Sequence, residues 1–375
     1  MNASTKVSCP SFLHLPVEVR LQIYDRALNR TLPPHSLLRV CRQVREEVLS
    51  VVLRKRRFFE RLDQFITWAH QSPAHLLPLV RSIHVNCIVS SSLFAAPAPK
   101  PSTLWQEIYQ SIVSTASTRL PTPVGPLTPS VVAEALAALT GVRDFGIFVM
   151  QNVARSPQFL SDQRLLLTTL GTRMPQIQKL ELDIDFLPLD FLRLFAAELH
   201  HLTISGYAAA SDNNKTKDDV DQETNNIAIF RNLKYLQSLT LRNEMNTLLN
   251  RVADRDVSRL APLVAVTPEV VRQMHPLQGF TIVSANDRHF ESHFLTAAMI
   301  RALLHTHANS LVNLEIWSDG QVTDEVAVEL TKLLPRLAQL RTLRLHFRYS
   351  QALGLTFKDF VPPIVENVDL QCERC

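Results

Sequence analysis

The sequence predicts an α/β protein in which a short helical N-terminal unit precedes an irregular solenoid of alternating strands and helices. Three observations predict it. A short pattern returns nine times: an apolar residue, two others, an apolar residue, one other, an apolar residue. The stretches between these returns space their apolar residues as helices do. Two amphipathic helical segments come before the first return.

The helical unit opens at Phe12 and runs to Leu28, where Pro16 suits a first helical turn because its missing N–H is unpaired there anyway. Val19, Ile23 and Ala27 recur at fours along one face. A second helix follows from Leu37, with Leu37, Val40, Cys41, Val44, Val48, Val51 and Val52 in a three-four rhythm. Arg39, Arg42, Arg45, Glu46 and Glu47 are expected to face outward from it. The run Arg54 to Arg57 reads as the positive end of that helix, where it complements the dipole, or as a nuclear-import signal.

The clearest copies of the pattern are Ile177, Leu180, Leu182; Leu199, Leu202, Ile204; Leu236, Leu239, Leu241; Leu311, Leu314, Ile316; and Leu340, Leu343, Leu345. Weaker copies are Val80, Ile83, Val85; Val142, Phe145, Ile147; Leu277, Phe280, Ile282; and Val365, Val368, Leu370. The last two apolar positions lie on one face of a strand, and the first tucks under the bend leading into it. Among the intervening helices the best is Asp324 to Leu337, with Val326, Leu330, Leu333 or Leu334, and Leu337 on one stripe and Thr323 placed as its cap. Units of this kind bury their core only by stacking on their neighbours. The alternative is an ordinary parallel α/β domain whose strands share leucine by composition.

Domain limits follow from these signals. A tail covers 1–11, the helical unit 12–70, the repeat region 71–370 and a polar tail 371–375. Insertions are expected at 90–129, rich in Ser, Pro, Ala and Thr, and at 205–226, polar and acidic and read as disordered. Between Asn243 and Pro276, Thr267 and Pro268 read as a capped helix start.

The repeat region resembles the leucine-rich repeat family, in an irregular form that mostly lacks the asparagine which that family places after its last leucine; Asn243 comes one position early. The N-terminal unit resembles the F-box, in the F-box-like variant common in filamentous fungi. The resemblance is carried by Leu15 with Pro16, Ile23, Leu37 with Leu38, and Val40-Cys41-Arg42. Glu18-Val-Arg20 matches an acidic-x-arginine signature of the fungal domains. The resemblance implies docking on the Skp-type adaptor of a cullin–RING ubiquitin ligase through Leu15, Pro16, Val19, Ile23, Leu38, Val40 and Cys41. It also implies that the repeats bind an unknown protein substrate. Two departures stand out: the gap between the two halves of the motif is longer than usual, and Val44 stands where many F-boxes carry tryptophan. A structural alternative is that these helices cap the first repeat.

Composition narrows the function classes. The chain has 375 residues, 46% of them hydrophobic, enough for a large core. Only 8 glycines occur and no GxGxxG or GxxxxGK spacing, which argues against familiar nucleotide chemistry. The net charge of +4 is spread, so no nucleic-acid partner is expected. No signal peptide or membrane span is read, and an intracellular place in cytoplasm, nucleus or both is expected. Cys9, Cys41, Cys87, Cys372 and Cys375 are read as reduced, and the CxxC at the end lacks a second ligand pair for zinc. Asp183 and Asp185 share a strand face, which suits acid–base work or simple exposure. His305 and His307 are expected near a helix end at the surface. Arg341, Arg344 and Arg348 could pair with phosphate or merely solubilise a strand. No catalytic motif, cofactor or metal site is expected, so the chain reads as a binding protein and not an enzyme.

Overall fold

Apolar pairs that recur along a chain at strand spacing bury their shared face only when the next strand sets the same pair alongside. The computed structural model describes residues 12–30, 37, 39–88, 128–150, 157–183, 189–205, 217–244, 266–285, 295–350, 354 and 356–374. In it ten parallel strands form one sheet in chain order. They are β1 (Arg57–Phe59), β2 (Ser82–Ile88), β3 (Asp144–Met150), β4 (Lys179–Asp183), β5 (His201–Ser205), β6 (Ser238–Glu244), β7 (Gly279–Ala285), β8 (Asn313–Gln321), β9 (Thr342–Tyr349) and β10 (Asn367–Arg374). The described helices are α1 (Val17–Arg30), α2 (Arg42–Arg54), α3 (Leu62–Gln71), α4 (Pro129–Ala137), α5 (Pro157–Arg173), α6 (Lys217–Asn232), α7 (Pro268–Gln273), α8 (Ala297–Thr306) and α9 (Asp324–Leu333). This is the α/β solenoid expected from the repeat, in a leucine-rich-repeat-like arrangement.

Register aligns the repeats residue for residue. Ile83, Phe145, Leu180, Leu202, Leu239, Phe280, Leu314, Leu343 and Val368 lie side by side as one row. Two residues on, Phe59, Val85, Ile147, Leu182, Ile204, Leu241, Ile282, Ile316, Leu345 and Leu370 make a second. Both rows are buried except on β10, where Val368 is exposed and Leu370 half-buried. The helices lie on this buried side, their apolar residues in the same core as the strand rows, and α7 packs on α8 as α8 packs on α9.

The bend into each strand carries the stacking that asparagine would otherwise carry. The carbonyl of the residue after each first apolar position accepts from two consecutive N–H groups of the next repeat. Arg81 O takes Arg143 N and Asp144 N, Arg143 O takes Gln178 N and Lys179 N, and Gln178 O takes His200 N and His201 N. The ladder continues through His200, Gln237, Gln278, Val312 and Arg341, every step between 2.7 and 3.1 Å. Backbone alone makes these bonds, so side-chain identity at the bend is free to vary.

Helix starts follow the residues that satisfy their first N–H groups. Thr128, Thr267, Thr296 and Thr323 each accept from the N–H three residues on, at the heads of α4, α7, α8 and α9. The caps anticipated at Thr267 and Thr323 are in place. Pro335 follows α9, and the chain tightens there into a 3-10 turn over Leu334–Arg336 instead of continuing as one helix.

Several local expectations are corrected. β1 was not anticipated, because Arg57 occupies the place of an apolar residue opposite Ile83. Its guanidinium lies 5.4 Å from the Trp68 ring centroid and donates to Val52 O. Residues 217–226, read as disordered, belong to α6, and Asn226 is buried. Gln371 to Arg374, read as tail, belong to β10. The excursion at 90–129 falls outside the described residues except for Thr128 and Pro129. His307 is buried rather than at the surface: its Nδ1 accepts from Leu277 N at 3.0 Å and its Nε2 donates to Val271 O at 2.9 Å, joining α7, the end of α8 and the approach to β7.

Truncating the middle of a buried row is expected to leave a cavity: Leu202→Ala should lower the urea-unfolding free energy by about 2–5 kcal/mol. Burial pushes the His307 pKa below its ordinary value. A base held neutral in the fold contributes fully above the unfolded pKa of about 6.5 and loses that contribution as pH falls below it. The urea midpoint should therefore drop between about pH 7 and pH 5, and His307→Gln should shrink that drop.

Candidate interaction surfaces

A carboxylate and a guanidinium buried together can lock elements if each donor and acceptor finds a partner. Arg20, on the inward side of α1, does this with Glu47 of α2. Its Nε donates to Glu47 Oε2 at 2.9 Å and its Nη2 to Oε1 at 2.6 Å, while Nη1 donates to Leu13 O at 3.0 Å and to Leu15 O. Tyr24 Oη and Gln43 Nε2 also donate to Glu47, each at 3.0 Å. The hydrogen bond from Arg20 holds the Glu47 carboxyl down to about 2. Burial, then the bond to Glu47, pushes Tyr24 up to about 12. Glu47, expected to face outward, is thus the inward anchor of the helical unit.

With Arg20, Tyr24, Leu21 and Leu28 turned inward, the apolar face at Val19 and Ile23 is left exposed, one turn apart on α1. Pro16 is exposed and Leu15 half-buried. Val40, expected in the second helix, precedes it, because Cys41 is its cap and accepts from Val44 N at 3.5 Å. Cys41 is half-buried; Leu38 lies outside the described residues. Phe12, Leu13 and Val17, not anticipated as site residues, join Val19, Ile23 and Val40 as large apolar side chains exposed by 36% to 62%. Their signal was available: each is an apolar residue beside a motif already singled out.

The second surface is the sheet face opposite the helices. Around β1 to β6 it gathers charge on Glu181 of β4. Arg56 Nη2 lies 3.0 Å from Oε2 and Arg242 Nη1 2.8 Å from Oε1. His84 Nδ1 stands 3.9 Å from Glu181, and its Nε2 is 3.5 Å from Asp144 Oδ1 without hydrogen-bond geometry. Ser82 Oγ donates to Asp144 Oδ2 at 2.8 Å. The buried His84 ring fits because its register neighbour is Gly146, where a Cβ would come within 2.3 Å of Nδ1. The ring stacks on Phe148 at 5.5 Å. Burial, then His200 and Lys179, lowers the His201 pKa.

Toward the other end Trp317 stacks on His346 at 3.8 Å, and His346 Nε2 meets Asp369 Oδ2 at 3.1 Å. Arg344 pairs with Glu315 at 3.1 Å and Arg341 approaches Glu366 at 3.9 Å, so two of the three arginines read as candidate phosphate partners face carboxylates of this chain. The Asp183 side chain and Asp185 lie outside the described residues. Among the described residues no group of three or more His, Cys, Asp or Glu could hold a metal ion, and no helix is long and apolar enough to cross a membrane.

No family model and no curated protein matches this chain. Among solved structures, the leucine-rich repeat-containing protein LegL7 from Legionella pneumophila is similar at 12% identity, over 90% of this chain and 87% of that one, with a TM-score of 0.37. The fold rests on the strand order and the register, independently of that likeness.

Because the folded pKa of Glu47 lies below its unfolded value, its contribution is present above about pH 4.5 and is lost as pH falls toward about 2. Glu47→Gln should lower the thermal midpoint at pH 7 and flatten the loss of stability between those limits, as read by circular dichroism.

Proposed function

We propose that this chain is the substrate-recognition subunit of an SCF-type cullin–RING ubiquitin ligase, working in cytoplasm, nucleus or both. The F-box-like helices would hold the Skp-type adaptor and the open strand face a protein substrate. One observation carries the reading: the unit pinned inward by Arg20 and Glu47 leaves Val19, Ile23 and Val40 exposed, three of the seven positions that the F-box resemblance assigns to the adaptor. An apolar set of this kind on a small helical unit suits a partner that covers it. The chain needs no catalytic group for this role. Holding substrate beside a ubiquitin-loaded enzyme raises its effective concentration.

A second reading has its own support. Tyr24, Val44, Val48, Leu49 and Leu53 belong to the same buried cluster as the sheet, and α2 packs against the turn at Leu77–Leu79. These contacts support the reading that the helices cap the first repeat, and a non-ligase scaffold would need nothing more of them.

Pull-down with the Skp-type adaptor of the source organism separates the two. The folded chain should capture the adaptor, and Val19→Ser with Ile23→Ser should weaken capture about tenfold or more with an unchanged melting midpoint, since both side chains are exposed. Leu15→Ala with Pro16→Ala should act in the same direction. Absence of capture by the folded chain favours the scaffold.

A further inference from the structure

The open face around β1 to β6 arranges its charges in two layers. The carboxylates lie beneath, with side chains of Glu181 and Asp144 exposed by 7% and 24%. The cations lie above, with Arg56, Lys179 and Arg242 exposed by 51%, 40% and 35%. Anything settling on this face meets guanidinium and ammonium groups before it meets acid. Glu181 engages one Nη of each arginine, while a guanidinium carries five N–H donors in a fork suited to carboxylates. The buried carboxylate therefore holds both forks in place without exhausting them.

Beside these groups the face dips into a depression of about 320 Å³ lined by Lys179, His201, Thr203, Ser238 and Thr240. Three hydroxyls there can donate to an anion. At the β1 edge Phe58 is 55% exposed, with its ring 6.4 Å from Phe148. Such an apolar group beside exposed cations suits a ligand that carries both characters.

We propose that this part of the open face binds an acidic segment of a partner polypeptide, its carboxylates taken by Arg56, Lys179 and Arg242 and an adjoining apolar side chain packed on Phe58. The proposal rests on the open face being the partner-recognition surface. It supplies the chemistry of that partner.

The test is fluorescence anisotropy on the full chain at low salt, with a labelled peptide holding a run of glutamates and one leucine. Peptides with glutamine or lysine in place of glutamate, and one without leucine, serve as comparisons. The glutamate peptide should bind, weaken as salt rises, and lose about fivefold or more in affinity in Lys179→Ala and in Arg242→Ala. Phe58→Ser should weaken the leucine-bearing peptide and leave the leucine-free one unchanged. Lys179→Ala removes an exposed side chain, so it keeps the test sound should Arg242→Ala disturb Glu181. No binding by the folded chain, equal binding of the glutamine or lysine peptides, or unchanged affinity in both cation variants overturns the proposal. An unchanged leucine preference in Phe58→Ser overturns its apolar half. Adaptor capture through Val19 and Ile23 uses a separate surface, so failure here with capture intact rejects this partner chemistry alone.

Discussion

Each strand of this protein is buried by the strands beside it and by the helices over its inner face, and the bend carbonyls hold that stacking in register. A carbonyl that accepts two successive N–H groups of the next repeat fixes both the spacing and the phase of that repeat. A slip of one residue would turn every apolar side chain of a strand to the wrong face. The bond is made by backbone, so Arg81, Gln178, His200 and Val312 serve equally well at the same place. This accounts for a regular sheet built from repeats of irregular length and with little asparagine at the bends.

How much was legible in the sequence follows from which constraints are local. Nine strands were readable because burial at two positions of a strand and one of its bend is written directly as apolar residues. β1 was hidden because Arg57 takes an apolar position and is accommodated by Trp68, a residue on the next helix. Periodicity placed Glu47 outward since a period cannot show that Arg20, 27 positions earlier, awaits it. The start of α2 shifted for a similar reason: Cys41 reads as one more apolar residue until its sulfur is seen capping the helix. His307 likewise gave no sign, since its two partners are backbone atoms distant in sequence. Of the candidate sites, the exposed pair Val19 and Ile23 was visible from spacing and resemblance. The cluster on Glu181 was not, because Arg56 and Arg242 become its neighbours only through the order of the strands.

Two glutamates organise arginines in this fold, and the difference between them lies in depth. At Glu47 the guanidinium of Arg20 is even more buried than the carboxylate, its donors spent on Glu47 and on two carbonyls, and the result is a lock between helices. At Glu181 the carboxylate is sunk while its two arginines reach solvent. The same pairing chemistry thus serves rigidity in one place and leaves charged groups presented in the other. Preorganised donors of this sort lose less freedom when a ligand arrives.

The sheet has two unlike rims. Along the bends, residues 142–144, 177–179, 199–201, 236–238, 277–279, 311–313 and 340–342 repeat with one hydrogen-bond scheme and no variation in length. Where strands end and the chain turns toward the next helix, length is unconstrained: 89–128 separates β2 from α4, whereas Val322 and Thr323 suffice between β8 and α9. Residues can be added or lost along one border without touching the bonds that align the repeats, so a new contact region can be grown there while the frame that carries it stays the same.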